Sequence, residues 1–271
     1  MPARPQPAAG TSSPVSLYDW PQYWDILFRD ETRREVAFLE AAFRKYVPFP
    51  VRRVLEAGCG SGRLVAALAR RGYCVWAFDR SRTALEYAAR KLARRRLSAH
   101  LFPADLARFR LPVPVHAAVC TFNTFRHLLC DTDARSHLEA VAQALVPGGI
   151  YVLGLHLLPD DVAADSCERW RARHGRTRLT ATLRVVRFDR RRRRERLRLD
   201  LVVRSPRRTQ RLSDHLDLRL YTPRQFRRLL AQVPALELLD AFDFWYDLSR
   251  PRRLDDRCVD TVVVLRKRPA G

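Results

Sequence analysis

Lysine is nearly missing from this chain of 271 residues: Lys45, Lys91 and Lys267 stand against 48 arginines. The two side chains carry the same charge, so the imbalance reads first as a bias of composition and not as a nucleic-acid signature. Long apolar runs are missing too. The longest, Ile150 to Leu158, is broken by Gly154 and His156 and falls short of the roughly 18 residues a membrane span needs. Residues 1–16 have no apolar centre and are rich in Pro, Ala and Ser, which excludes a secretory signal and predicts a disordered tail. The six cysteines form no C-x-x-C pair, and most sit in apolar runs. They are expected as reduced, buried thiols of a cytoplasmic protein. Metal-ligand spacing is absent as well; His156, Asp160 and Asp161 are neighbours in sequence only, and no metal is expected.

What is present describes a globular enzyme: 47% hydrophobic and 30% charged residues, in a length that suits one domain with an excursion. The net charge is +22, and it is uneven. Residues 165–230 hold 22 Arg against 7 Asp and Glu, whereas the rest of the chain holds 29 basic and 22 acidic residues.

Strand and helix signals alternate over the first part of the chain. A helical period over 30–46 is followed by apolar runs at 51–57, 73–78, 99–102, 115–122 and 150–157, with helical stretches at 64–69, after Ser81 and around 135–145. That rhythm predicts a parallel sheet covered on both faces. After residue 165 the period becomes two. Leu179–Val185, Leu197–Val203 and Leu212–Leu220 alternate with polar residues, as half-buried antiparallel strands do, with Arg190–Arg194 at a hairpin tip. Thr222-Pro223-Arg224-Gln225 is a capping box that opens a last helix, followed by strands near 236–244 and 258–265. The expected division is a tail at 1–16, a cap and helix at 17–50, a core at 51–164, an antiparallel β insertion at 165–221, and a return to the core at 222–271.

The chemistry-bearing stretch is Glu56-Ala57-Gly58-Cys59-Gly60-Ser61-Gly62, at the end of a strand and the start of a helix. Glycines there let a ligand approach the backbone and the helix N-terminus. A dinucleotide fingerprint would need G-x-G-x-x-G, but Arg63 occupies the place of the last glycine. The spacing resembles motif I of the class I S-adenosylmethionine-dependent methyltransferases. Asp79-Arg80 after the second strand, Asp105-Leu106 after the third, and Pro147-Gly148-Gly149 before the fifth resemble further landmarks of that family. The resemblance covers residues 18–160 and returns at 222–267. It implies a Rossmann-like seven-stranded sheet with helices on both faces, S-adenosylmethionine as cofactor, and in-line methyl transfer to a nucleophile. It also implies cofactor contacts from Glu56, Gly58, Cys59, Gly60, Gly62, Asp79 (ribose), Arg80, Asp105 (adenine), Leu106 and Thr121. Tyr23 joins them from the aromatic cluster Tyr18 to Trp24, which resembles the family's N-terminal cap.

The acceptor is expected beyond the carboxyl ends of the strands. Candidates there are Asn123, His127, His156, Tyr221 and Trp245, with His127 as the candidate base. The family's nucleic-acid amino methyltransferases carry [D/N]-P-P-[Y/F/W] where this chain has Phe122-Asn123-Thr124-Phe125, which favours a small-molecule acceptor with an N or O nucleophile. The competing readings are an RNA methyltransferase or RNA-binding protein using the arginine-rich insertion, and a non-catalytic relative. The insertion is also a candidate contact for a homodimer.

Overall fold

The computed structural model describes residues 16–159 and 167–269. The expected tail, apart from Ser16, and the pair Asp160 and Asp161 lie outside them.

Seven strands form the main sheet: β1 (Arg53–Ala57), β2 (Cys74–Asp79), β3 (His100–Pro103), β4 (Val115–Cys120), β5 (Leu145–His156), β10 (Leu236–Phe242) and β11 (Asp260–Lys267). Their order is β10-β11-β5-β4-β1-β2-β3. The five strands from β5 to β3 run parallel, and β11 and β10 are antiparallel to their neighbours. The central strands are buried on both faces, which is why they read as continuous apolar runs. Helices α2 (Thr32–Tyr46), α3 (Arg63–Ala69) and α4 (Arg82–Arg94) belong with one face of the sheet, and α5 (Asp131–Ala144) and α6 (Pro223–Ala231) with the other.

Local chemistry explains several boundaries. Ser81 caps α4 by accepting from Ala84 N at 3.2 Å, and Thr222 with Gln225 forms the full capping box of α6. Helix α5 begins at Asp131, earlier than its apolar period, because Cys130 caps it and Asp131 and Asp133 fill its first turn. Strand β5 extends back through Pro147-Gly148-Gly149 to Leu145, which pairs with Val115. A Cβ at Gly149 would stand 2.8 Å from the His116 carbonyl oxygen, so only glycine fits there.

The insertion is a second, four-stranded antiparallel sheet: β6 (Cys167–His174), β7 (Thr177–Asp189), β8 (Arg194–Arg204) and β9 (Thr209–Arg219). Its apolar face rests on the N-terminal cap, a short 3-10 turn at Leu17–Asp19 and helix α1 (Pro21–Leu27). Residues 20, 23, 24 and 27 share one face of α1, and all four pack under this roof with Leu179, Leu199 and Leu201. The cap is thus held between roof and core. Among the described residues no helix is long and apolar enough to cross a membrane.

Candidate functional site

The turn after β1 has three glycines with positive φ: Gly58 at 71°, Gly60 at 50° and Gly62 at 65°. They are not equivalent. A Cβ on Gly58 would meet Thr124 Cγ2 at 2.5 Å, and one on Gly62 would meet Ala88 Cβ at 2.7 Å. These two glycines let neighbouring elements close against the turn. A Cβ on Gly60 would meet nothing within 4 Å, so its backbone faces open space. Asp79, at the end of β2, accepts from Gly60 N at 2.8 Å and from Ser81 N at 2.9 Å. One carboxylate therefore ties the glycine turn to the start of α4, with oxygen lone pairs left for a hydroxyl ligand. Bare backbone beside a fixed carboxylate fits a nucleoside bearing ribose hydroxyls.

Asp105 closes its own turn by accepting from Ala107 N at 2.8 Å. Leu106 lies 4.0 Å from a Cβ placed on Gly58. Its carbonyl receives His137 Nδ1–H at 2.7 Å, and burial holds His137 neutral with a pKa lowered to about 4. Glu56 is buried, and its Oε2 has no hydrogen-bond partner among the described residues. Burial pushes its pKa up to about 8, with Arg63 opposing and Glu35 adding to the rise. An acid of this kind is suited to receiving a cationic ligand group. Cys59 is buried with its thiol pushed well up by burial, and its N donates to Phe78 O at 2.9 Å, as a packing residue does.

Beyond β4 the chain turns sharply. Thr121 O accepts from Thr124 Oγ1 at 3.0 Å, and Phe122 and Asn123 take positive φ values of 56° and 63°. Such a conformation is costly for a Phe and marks a site held by its surroundings. Asn123 Oδ1 accepts from His156 N at 2.6 Å, joining the ends of β4 and β5. The His156 ring is taken by Asp260. A 3-10 turn, Thr124–His127, then presents His127 to the cap. Its Nε2 lies 2.9 Å from the Tyr18 hydroxyl. One edge of the imidazole is open to solvent. The protein packed around it, with Arg126 and Arg80, lowers its pKa to about 4, which leaves it neutral near pH 7.

Three expected positions differ. Tyr23 does not reach the glycine turn: it stacks on Trp20 and donates to Gln210 Oε1 of β9 at 3.2 Å, because the helical path of α1 turns it to the roof. The cap aromatic that meets the turn after β4 is Tyr18, whose hydroxyl lies 2.9 Å from His127 Nε2. Tyr221 is fully buried against Phe125 and Phe226 and belongs to the core. Trp245 is 73% exposed, with the Arg34 guanidinium 5.8 Å above its ring.

Residues outside the expected set complete the site. Lys91 is buried and donates to Ser61 O of the glycine turn at 2.7 Å and to Asp25 of α1 at 2.6 Å. Tyr87 donates to the same Asp25 at 3.1 Å. The cap is thereby latched to the turn. A single lysine inside an arginine-rich helix was the available signal for it. Arg63, beside the last glycine, pairs with fully buried Glu35 at 2.6 Å and lies 4.8 Å over the Phe122 ring.

A family model described as a methyltransferase domain matches residues 54–149. The chain is 28% identical over 117 residues to the uncharacterized methyltransferase YodH of Bacillus subtilis, covering 43% of this chain and 48% of that protein. It spans about half the length of the curated relatives it matches. Among solved structures, an S-adenosylmethionine-dependent methyltransferase from Clostridium acetobutylicum superposes with a TM-score of 0.75 at 16% identity, over 92% of this chain and 98% of that one. The amino pentose methyltransferase CalS10 of Micromonospora echinaspora, solved with S-adenosylmethionine, gives 0.70 at 20% identity, over 96% and 100%. At such identities the likeness is one of fold. Residues 54–149 match a methyltransferase-domain model, and the chain shares the fold of solved S-adenosylmethionine-dependent methyltransferases.

Proposed function

We propose that the protein binds S-adenosylmethionine and transfers its methyl group to a small-molecule acceptor through an N or O nucleophile. The observation that carries this is the open space over Gly60 beside the carboxylate of Asp79, which is bonded to Gly60 N. Gly58, Gly60 and Gly62 would admit the cofactor to the backbone, with Asp79 on the ribose, Asp105 and Leu106 at the adenine, and Glu56, Cys59, Arg80 and Thr121 around the rest. S-adenosylmethionine supplies a methyl group already activated by its sulfonium. The protein's part is to orient the acceptor and keep water out. Tyr18, Trp24, Phe28 and Phe122 form a continuous aromatic wall suited to exclusion. A neutral His127, hydrogen-bonded to Tyr18, can accept a proton from an acceptor amine or hydroxyl. CalS10 is named as an amino pentose methyltransferase, which supports a small, polar, amine-bearing acceptor.

Isothermal titration of the intact protein with S-adenosylmethionine tests the reading. Binding is expected for the parent. Gly60→Arg, which fills the open space, and Asp79→Ala should each weaken it at least ~10-fold. No binding by the parent would sink the proposal.

A further inference from the structure

The roof has two unlike faces. Its inner face is apolar and covers the cap. On its outer face, the register places Arg173 of β6 opposite Arg178 of β7, and Arg178 opposite Arg204 of β8. The next row sets Arg171, Thr180, Val202 and Arg211 side by side. The turn after β6 adds Arg176, and the turn after β8 adds Arg207 and Arg208; all of these arginines are exposed. Like charges directly opposite on neighbouring strands repel each other.

The other end of the same sheet also sets Arg184 opposite Arg198 and Arg187 opposite Arg196, but there one member of each pair has a carboxylate partner. There Arg196 is matched by Asp217, Arg198 by Asp200, Arg193 and Arg219 by Asp131, and Arg126 by Glu195. At the free end, residues 169–188 and 201–213 contain no Asp or Glu. Among the described residues, Arg171, Arg178, Arg204 and Arg211 have no ion-pair partner.

We propose that this free end of the roof is a docking surface for the sugar-phosphate backbone of a double-stranded nucleic acid, separate from the methyl-transfer site. Guanidinium groups bind phosphate oxygens in a bidentate manner, and Thr180, Thr209 and Ser213 supply hydroxyl donors among them. The two arginine rows contain no aromatic ring, so they offer no platform for stacking splayed bases. The only aliphatic residue in them is half-buried Val202, so a protein partner would find no anchor. The inner face is committed to the cap, which places a bound duplex across the roof from the glycine turn.

The test uses the full chain and a labelled, mixed-sequence RNA duplex of about 20 base pairs, followed by fluorescence anisotropy. Affinity should fall linearly in log–log form between ~50 and ~200 mM salt, with a slope of about −3 or steeper. Arg178→Glu/Arg204→Glu should weaken binding at least ~10-fold and flatten the slope. Arg52→Glu/Arg253→Glu makes the same charge change at exposed sites off the roof and should have a far smaller effect. Melting curves of both variants check that they fold. Equal losses in the two variants would overturn the proposal, since overall charge would then suffice. Anionic vesicles or poly-glutamate binding more tightly than the duplex would overturn it in favour of a membrane or an acidic protein. Titration with S-adenosylmethionine keeps the two proposals apart: Arg178→Glu/Arg204→Glu should bind it as the parent does, and a loss there would overturn the separation of the surface from the site.

Discussion

Glu56 puts an acid on a strand buried on both faces, directly before the glycine turn. Its pKa in the fold, about 8, lies above its ordinary value of 4.5, so the folded state holds a proton that the unfolded state gives up near neutrality. Stability from this group is complete below pH 4.5 and is lost as pH rises toward 8. Glu56→Gln removes the titration. Without cofactor the variant should be more stable than the parent near neutral pH, by about 1–3 kcal/mol, and the difference should vanish in mild acid. Its melting temperature should also rise less on addition of S-adenosylmethionine. Thermal unfolding with and without cofactor checks both; a less stable variant near neutral pH would refute the buried-acid account. The position of this acid was legible in the sequence from its glycines. Its protonation was not, because that depends on Arg63 and Glu35 brought in by other elements.

At the scale of elements, the joint between roof and core turns on Arg126. Its side chain is 5% exposed, donates Nε–H to Arg219 O at 2.8 Å, and pairs with Glu195 of β8, which is 11% exposed. Removing one member of a buried pair strands the other charge. Arg126→Met should cost about 3 kcal/mol or more, while Arg126→Met/Glu195→Leu should recover most of it. Urea unfolding measures both, and equal losses would show that the pair does not hold the joint. Period-two alternation revealed β7, β8 and β9 in the sequence. Strand β6 escaped it: as an edge strand with Arg169, Arg171 and Arg173 outward, it buries only Trp170 and Ala172 in part, too few to mark an apolar alternation. Helix α1 escaped as well, since seven residues with Pro at the first position are too short to show a period.

For the whole molecule, the +22 includes two overlapping sets of roof arginines, those matched by carboxylates and those facing one another, with Arg196 and Arg198 in both. Mutual repulsion in the second weakens the fold when counterions are scarce. The melting temperature should therefore rise by a few degrees as salt increases from ~10 to ~150 mM, where the Debye length shortens to about 8 Å. The rise should be smaller in Arg178→Glu, whose carboxylate stands between Arg173 and Arg204 in place of a like charge. A salt-independent melting temperature in the parent would show that the arginine rows carry no such strain.

The sequence alone determined the parallel sheet, the glycine turn and its acids, and the antiparallel insertion. These are local patterns: an apolar period, a cap, a spacing between glycines within one turn. Only the tertiary structure decided that Tyr18 rather than Tyr23 meets His127, that Lys91 latches the cap, that Tyr221 is core, and which roof arginines face one another. Each of these depends on contacts between residues far apart in the chain, and strand register and helix packing fix such contacts where composition and spacing cannot.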